Sequence, residues 1–498
     1  VAGSAKYYRN DFSRVFLIKQ RAGPSNPPSY QGLWRAGALS WNQGDVTLVR
    51  VPSFSEYGAF DTVGKILGQP GNPELPITAR YTNDLSELLK MAAAGCDHDL
   101  QIHMGSCRNP QDFNGGWDKI VVLEGAHITS YGTGDLGALD PSERAVVNEE
   151  VPFAGEDAYE IKPMNFASKA GGDITQEVVS VSICDSKTCG LCGLPSDGCQ
   201  VIFALTKSTG ASPGLVAELI YSDDGGSTWN QTNIDTLSAT EDPTAVICVG
   251  QYVLVVSRTT LTINYAPIVD VLEGTETWSE VTTGFVVGGE PIAVWSASPG
   301  DTWFVGAGGY IYKSAAPTDG VEVQDAGVAT TQPLNDIDGV DTLNVIAVGN
   351  NNAVVYTDNG GDTWTTVTGP APGINLTSVQ MISALRWIVG AANGRLYYTE
   401  TSGSTWREKS FPSAGTGSVT ALAFVNQTVG YMAHTTAGGA GRILRTIDGG
   451  FSWYVLPEGT SSIPTNQRIN ALATCPDVNK IWGAGLGVGT DGILVLGA

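Results

Sequence analysis

Four cysteines fall close together as Cys184-x4-Cys189-x2-Cys192-x6-Cys199, with Gly190, Gly193 and Pro195 making the intervening chain turn-rich. Four thiolates satisfy a closed tetrahedral zinc site, and Cys189-x2-Cys192 has the spacing of a ligand pair. The same set can instead form two disulfides in an oxidised extracellular particle, or remain reduced in a solvent-facing loop. Bonded or metallated, its role would be structural, pinning one strand to another. Cys96, Cys107, Cys248 and Cys475 sit beside or within β-like runs and read as small packed apolar groups, a Cys96–Cys107 bridge being the alternative. His98, His103, His127 and His434 are too scattered for a metal triad and read as ordinary imidazoles. Neither a His-Glu-x-x-His pair nor a phosphate-binding loop occurs. No catalytic residue and no cofactor site other than the zinc alternative is assigned.

The elements around these residues are set by a phrase that recurs through the C-terminal two-thirds of the chain. It reads Tyr-Ser-Asp-Asp-Gly-Gly-Ser-Thr-Trp at 221–229, Tyr-Thr-Asp-Asn-Gly-Gly-Asp-Thr-Trp at 356–364 and Arg-Thr-Ile-Asp-Gly-Gly-Phe-Ser-Trp at 445–453. A weaker copy spans 398–406, and a fainter one runs from Glu273 to Trp278. A strand ends at the Ser or Thr, and a carboxylate or amide accepts hydrogen bonds from the turn. Glycine supplies the positive φ that closes the hairpin, and the tryptophan starts the returning strand. Each copy therefore predicts a self-stabilised hairpin corner. The positions concerned are Asp224, Gly226 and Trp229; Asn359, Gly361 and Trp364; Gly403 and Trp406; and Asp448, Gly450 and Trp453.

Trp364 and Trp406 are 42 residues apart, and Trp278 and Trp364 are 86 apart, which makes a repeat of roughly 43 residues, the size of a four-stranded blade. Blades are expected near 199–236, 243–285, 290–328, 334–369, 376–412, 417–458 and 467–498. The last stops at its third strand, Ile493–Leu496, so a strand must be donated from elsewhere or an edge stays open. The β-rich run at 176–184, just before the first blade, is the expected clasp. Seven blades is the primary reading and six the alternative.

These corners resemble the Asp-box pattern, Ser/Thr-x-Asp-x-Gly-x-x-Trp/Phe, of sialidase-like β-propellers; Asp224 and Asp448 match its acidic position, while Asn359 and Thr401 depart from it. The resemblance implies propeller fold and structural corners on the rim, and it says little about activity. Sialidases of that family use an arginine triad, a tyrosine nucleophile with a glutamate partner and an aspartate acid/base. The Arg-Ile-Pro motif that opens their propeller is absent here, and Arg442-Ile443-Leu444 comes near the end of the repeats instead. The reading is therefore not an enzyme.

The first 170 residues form a separate all-β region. Strand-like runs appear at 14–19, 33–39, 46–51, 77–81, 100–104, 120–131, 144–151 and 159–162. One helix is expected over 84–95, capped by Asp84 and Glu87, with Leu85, Leu88, Leu89 and Ala92 on one face. Two long loops, 23–31 and 52–74, and a polar arm to about Asp11 complete it. A β-sandwich with one helix, an arm and a long loop resembles the tail-tube proteins of long-tailed bacteriophages. That resemblance implies a subunit that assembles with itself into stacked rings, contacts other tail proteins and lets DNA pass through the lumen without specific binding. Its place would be the virion tail, after assembly in the host cytoplasm.

Charge fits this picture. Residues 1–170 carry 15 Lys+Arg against 20 Asp+Glu, and residues 171–498 carry 12 against 30, so the repeat region should repel nucleic acid and anionic membranes. No stretch approaches the ~20 apolar residues of a membrane span, and residues 1–8 lack the apolar core of a secretory leader. The expected organisation is a tail-tube-like domain at 1–170 followed by a propeller at 171–498, the latter displayed outward and open to adhesion on a host-surface glycan. The alternative is a sialidase- or glycosidase-like, or glycan-binding, propeller with an accessory β-sandwich.

Overall fold

The computed structural model describes residues 174–184, 199–208, 214–282, 284–316, 318–411, 417–456, 467–486 and 492–497, with Met164 and Phe166–Ser168. Before residue 163 its description is confined to strands between 14 and 162. The chain divides into two compact units, Val1–Pro163 and Met164–Ala498.

In the first unit, eight strands form one antiparallel sheet. Seven run in the order Tyr30–Arg35, Arg14–Ile18, His98–Met104, Lys119–Ile128, Asn148–Ala154, Glu74–Arg80 and Ala38–Leu39. Asp157–Ile161 pairs with Lys119–Ile128 off that path. Within the expected loop at 52–74, the described residues form short strands. Ser53–Phe54 pairs with Phe60–Asp61, and Lys65–Pro70 returns along Val46–Arg50. The expected helix at 84–95 and the sandwich packing of this unit lie outside the described residues.

In the second unit, seven four-stranded antiparallel sheets follow one another. Six are built from consecutive strands, spanning 178–233, 243–281, 291–326, 334–366, 376–409 and 418–455 (blades 1–6). The seventh takes three strands from the chain's end, Arg468–Thr474, Ile481–Leu486 and Gly492–Gly497, and its outermost strand from Phe166–Ser168. Second strands such as Val345–Gly349 and Trp387–Ala391 are buried along their whole length, so they read as continuous apolar runs rather than alternating ones. The innermost strands pack blade against blade, the first on the seventh included, so the ring closes. This is a seven-bladed β-propeller, and six blades is ruled out.

The clasp is real in kind but comes from a different segment. The run expected to supply it, 176–184, provides Val178–Cys184, the innermost strand of blade 1, paired along Val201–Thr206. Phe166–Ser168 closes blade 7 instead, so the unit begins at Met164 rather than at 171. Blade 1 exceeds the common repeat because sixteen residues, 185–200, intervene between its first two strands.

The two described cysteines of the cluster, Cys184 and Cys199, bond outside it. Cys184 joins Cys248, linking blade 1 to blade 2, and Cys199 joins Cys475, linking blade 1 to blade 7. Both sulfurs are thus committed to bridges and unavailable as thiolates, which removes the four-cysteine zinc site. Cys189 and Cys192 lie outside the described residues. Cys248 and Cys475, expected to be free packed groups, are bridge partners across separations of 64 and 276 residues. Cys199→Ser with Cys475→Ser should lower unfolding stability by about 2–5 kcal/mol in urea titrations, through lost restraint on the unfolded chain. An unchanged midpoint would refute the closing role given to this bridge.

Candidate functional site

All seven innermost strands contribute to an axial channel of about 360 Å³. Each carries a β-bulge at the same place, with the extra residue at Val179, Thr244, Ile292, Asn335, Thr377, Thr420 or Asn470. Four of these extra residues are polar and reach the next blade. Asn335 Nδ2 donates to Leu376 O (2.7 Å), Thr377 Oγ1 to Val419 O (2.5 Å), Thr420 Oγ1 to Ile469 O (2.6 Å) and Asn470 Nδ2 to Val178 O (3.0 Å). In every case the acceptor is the residue just before the neighbour's own bulge.

A second set of bonds runs beside the first. In blade 1, Ser180 and Ser182 accept from Val246 N (3.1 Å) and Cys248 N (3.3 Å) of blade 2. In blade 4 the same two strand positions hold Asp336 and Asp338, which accept from Val379 N (2.8 Å) and Met381 N (2.6 Å) of blade 5. Gln380 Nε2 adds a bond to Asp338 at 2.7 Å. The aspartates therefore do what serines do three blades away. Asp336 lines the channel and both residues are half-buried, but their carboxyls lie deep in the ring, and desolvation dominates their ionisation. Burial pushes the Asp336 carboxyl up to about 7, and that of Asp338 well above the ordinary carboxylate range.

The recurring corners join the third and fourth strands of blades 1, 4, 5 and 6. At the first, Asp224 Oδ1 accepts from Ser227 N and Thr228 N, both at 2.8 Å, and Ser222 Oγ accepts from Gly226 N at 2.8 Å. Those bonds, led by the one from Thr228, hold the Asp224 carboxyl down to about 2. Asp448 repeats the pattern with Phe451 N (3.0 Å) and Ser452 N (2.9 Å). Asn359 and Thr401 keep the bond to the residue four further on, at 3.1 and 2.9 Å, so an amide or a hydroxyl suffices. Glu273–Trp278 is not a corner: the six-residue helix Ile268–Glu273 ends there, with Gly274 in the left-handed conformation.

Each corner also buttresses the preceding blade. A Cβ on Gly226 would collide with the Trp482 ring of blade 7, one on Gly361 with Trp303 of blade 3, and one on Gly450 with Ile388 of blade 5. Trp229 meets Trp482 edge to face at 5.4 Å, and Trp364 meets Trp303 at 5.7 Å. In blade 5, Gly403 sits over Val367 of blade 4 and Trp387 of its own blade, and Trp406 Nε1 donates to Thr368 O at 2.9 Å. Trp453 is buried against Phe424. The corners thus lie far along their strands from the channel; those of blades 5 and 6 touch, Tyr398 meeting Phe451 edge to face at 5.5 Å. Neither the bulge bonds nor the Asp336–Asp338 pair was read from the sequence. Its usable signal was the polar residue one or two positions into five of the seven innermost strands, Thr244, Asn335, Thr377, Thr420 and Asn470.

No protein-family model matches the chain, and no curated protein matches it. Solved structures similar to it include YCF48 from Cyanidioschyzon merolae, at 16% identity over 67% of this chain and 98% of that one, with a TM-score of 0.49. YCF48 bound to D1 peptide follows at 14% identity, 68% and 95% coverage and TM-score 0.49. The RRP9 WD40 repeats stand at 10% identity, 67% and 97% coverage and TM-score 0.48. The assignment as a propeller rests on the strand order described above.

Asp448 is buried and Asp224 half-exposed. Asp448→Ala should therefore cost about 2–3 kcal/mol and Asp224→Ala about 1–2 in denaturant titrations; equal, negligible losses would count against the buttress role. For Asp336 the folded pKa lies above the unfolded one, near 4. The folded state holds the extra proton, so stability falls as pH rises from about 4 through 7 and the penalty is complete above that. Asp336→Ser should flatten this slope and raise stability at pH 8 by on the order of 1–3 kcal/mol. A slope identical to that of the parent would exclude Asp336 as its source.

Proposed function

We propose that the protein is a non-enzymatic structural and interaction protein: a tail-tube-like subunit of a virion tail that carries a propeller as its adhesive module. The observation that carries the non-enzymatic reading is the use of polar groups at the axis. Asn335, Asp336, Thr377, Thr420, Asn470 and Ser180 are each bound to the backbone of the adjoining blade. Groups committed in the resting fold to holding the ring are poorly placed to move protons or attack a substrate. Two disulfides that staple neighbouring blades suit a particle working in an oxidising exterior.

The tail-tube part of the proposal draws on the strands of the first unit, whose paired ribbons, Val46–Arg50 with Lys65–Pro70 and Ser53–Phe54 with Phe60–Asp61, suit strand addition between subunits. Its net acidity suits a lumen along which DNA slides without sticking.

One observation favours a second reading. A carboxyl with a pKa of about 7 in a channel is the form a general acid takes in a glycosidase. Against it, Asp336 and Asp338 both point at the seam between blades 4 and 5 rather than at each other across a gap. Serines also fill the equivalent places in blade 1.

Negative-stain imaging of the purified full chain should show rings or tubes, and deleting residues 1–12 or shortening 52–74 should abolish them while the propeller stays folded by circular dichroism. Monomers under all conditions would overturn the tail-tube reading. Turnover of fluorogenic glycosides, lost in Asp336→Asn, would establish the second one.

A further inference from the structure

Blades 5 and 6 meet at an edge whose charge runs against the rest of the propeller. Arg386, in the turn between the first two strands of blade 5, stacks its guanidinium over Phe451 at 4.2 Å and donates to Gly449 O of the blade 6 corner. Lys409 Nζ lies 5.0 Å from the same ring and 5.1 Å from Tyr398. Arg407 is exposed at the other end of that short strand. Phe451 is itself the exception among the corners, since Ser227, Asp362 and Ser404 occupy its position in the others.

These cations lack the partners that other basic residues of the unit have. Arg258, Lys313, Arg395 and Arg468 each pair with a carboxylate within 4.0 Å. Among the described residues, Arg386, Arg407 and Lys409 have no carboxylate at that distance, although residues 171–498 hold 30 acidic side chains. Asp448 is taken up by its own corner. Glu400 acts on all three cations only through space, and burial raises its pKa. Desolvation also lowers Arg386 to about 10 and lowers Lys409, so both charges stand ready to gain from an added anion. Beside Arg386, Leu385 is 61% exposed; at the matching turn of blade 4, Leu343 is 53% exposed and Val340 40%.

We propose that this edge is a docking surface for an acidic protein segment, whose carboxylates pair with Arg386, Arg407 and Lys409 while an apolar side chain covers Leu385. The exposed leucines favour a polypeptide over a glycan, because they ask for an apolar side chain next to the anion. The site rests on the reading of the propeller as an interaction module but not on tube assembly.

The test uses the full chain and a fluorescent peptide of alternating Glu and Leu, read by anisotropy at low and physiological salt. Binding should weaken with salt and fall at least about tenfold in Arg407→Gln/Lys409→Gln and in Leu385→Asp, with melting temperatures unchanged; Lys207→Gln should have no effect. No binding at low salt, or binding indifferent to these variants, would overturn the proposal, as would dextran sulfate binding with the peptide silent. Rings that form while the peptide does not bind would sink this site alone and leave the assembly reading standing.

Discussion

Everything in the propeller depends on ring closure at the junction of blade 7 with blade 1. A blade alone is a four-stranded sheet with two faces to bury, and only neighbours on both sides can cover them. A linear row would leave the outer faces of its terminal blades open to water. Here that junction is held in several independent ways. Phe166–Ser168 completes the last sheet, Cys199 bridges to Cys475, and Asn470 bonds Val178 O. Arg468 pairs with Glu177, and Trp482 packs on Trp229 and Gly226. Hydrophobic contact continues through the junction, with Ile174, Val178, Ile202, Trp482 and Leu494 in one cluster.

Reinforcement is uneven around the wheel, and its chemistry changes from seam to seam. Blade 1 is stapled to blade 2 by Cys184–Cys248 beside two serine bonds. Between blades 2 and 3 the contact is aromatic and aliphatic, with Phe285 edge to face on Phe304 and Tyr312. Between blades 6 and 7 a fully buried Arg445 donates to Val478 O at 2.7 Å, and Tyr431 donates to the same oxygen at 2.6 Å. A charge in that setting is tolerated because the carbonyl and the Tyr431 ring, 5.5 Å from its guanidinium, replace water. One geometric problem, covering the face of the next blade, is met by cystine, carboxylate, hydroxyl, arginine or ring. Sequence can therefore drift widely while the wheel is kept.

Sequence alone determined the local and periodic features. The spacing of Trp364 and Trp406 fixed the blade length, and the starts of blades 2 to 7 fall within one residue of their expected positions. The hairpin corners were legible because Ser/Thr, Asp, Gly and Trp act on backbone within nine residues, and short-range hydrogen bonds leave a short-range signature. The need for a donated strand was legible too, since counting strands requires no knowledge of where they go.

Tertiary structure decided whatever depends on residues far apart in the chain. Cys184 and Cys199, close in sequence, part to opposite neighbours of blade 1, because once that blade's strands are laid down its two faces look toward blades 2 and 7. Phe166–Ser168 rather than 176–184 became the clasp because a run flanked on both faces by other blades is better buried as an innermost strand than spent on an outer edge. Asp336 and Asp338 became buried acceptors only when blade 5 brought Val379 and Met381 against them. In each case a side chain's partner is chosen by the closing of the ring, a condition on the whole chain that no window of neighbouring residues contains.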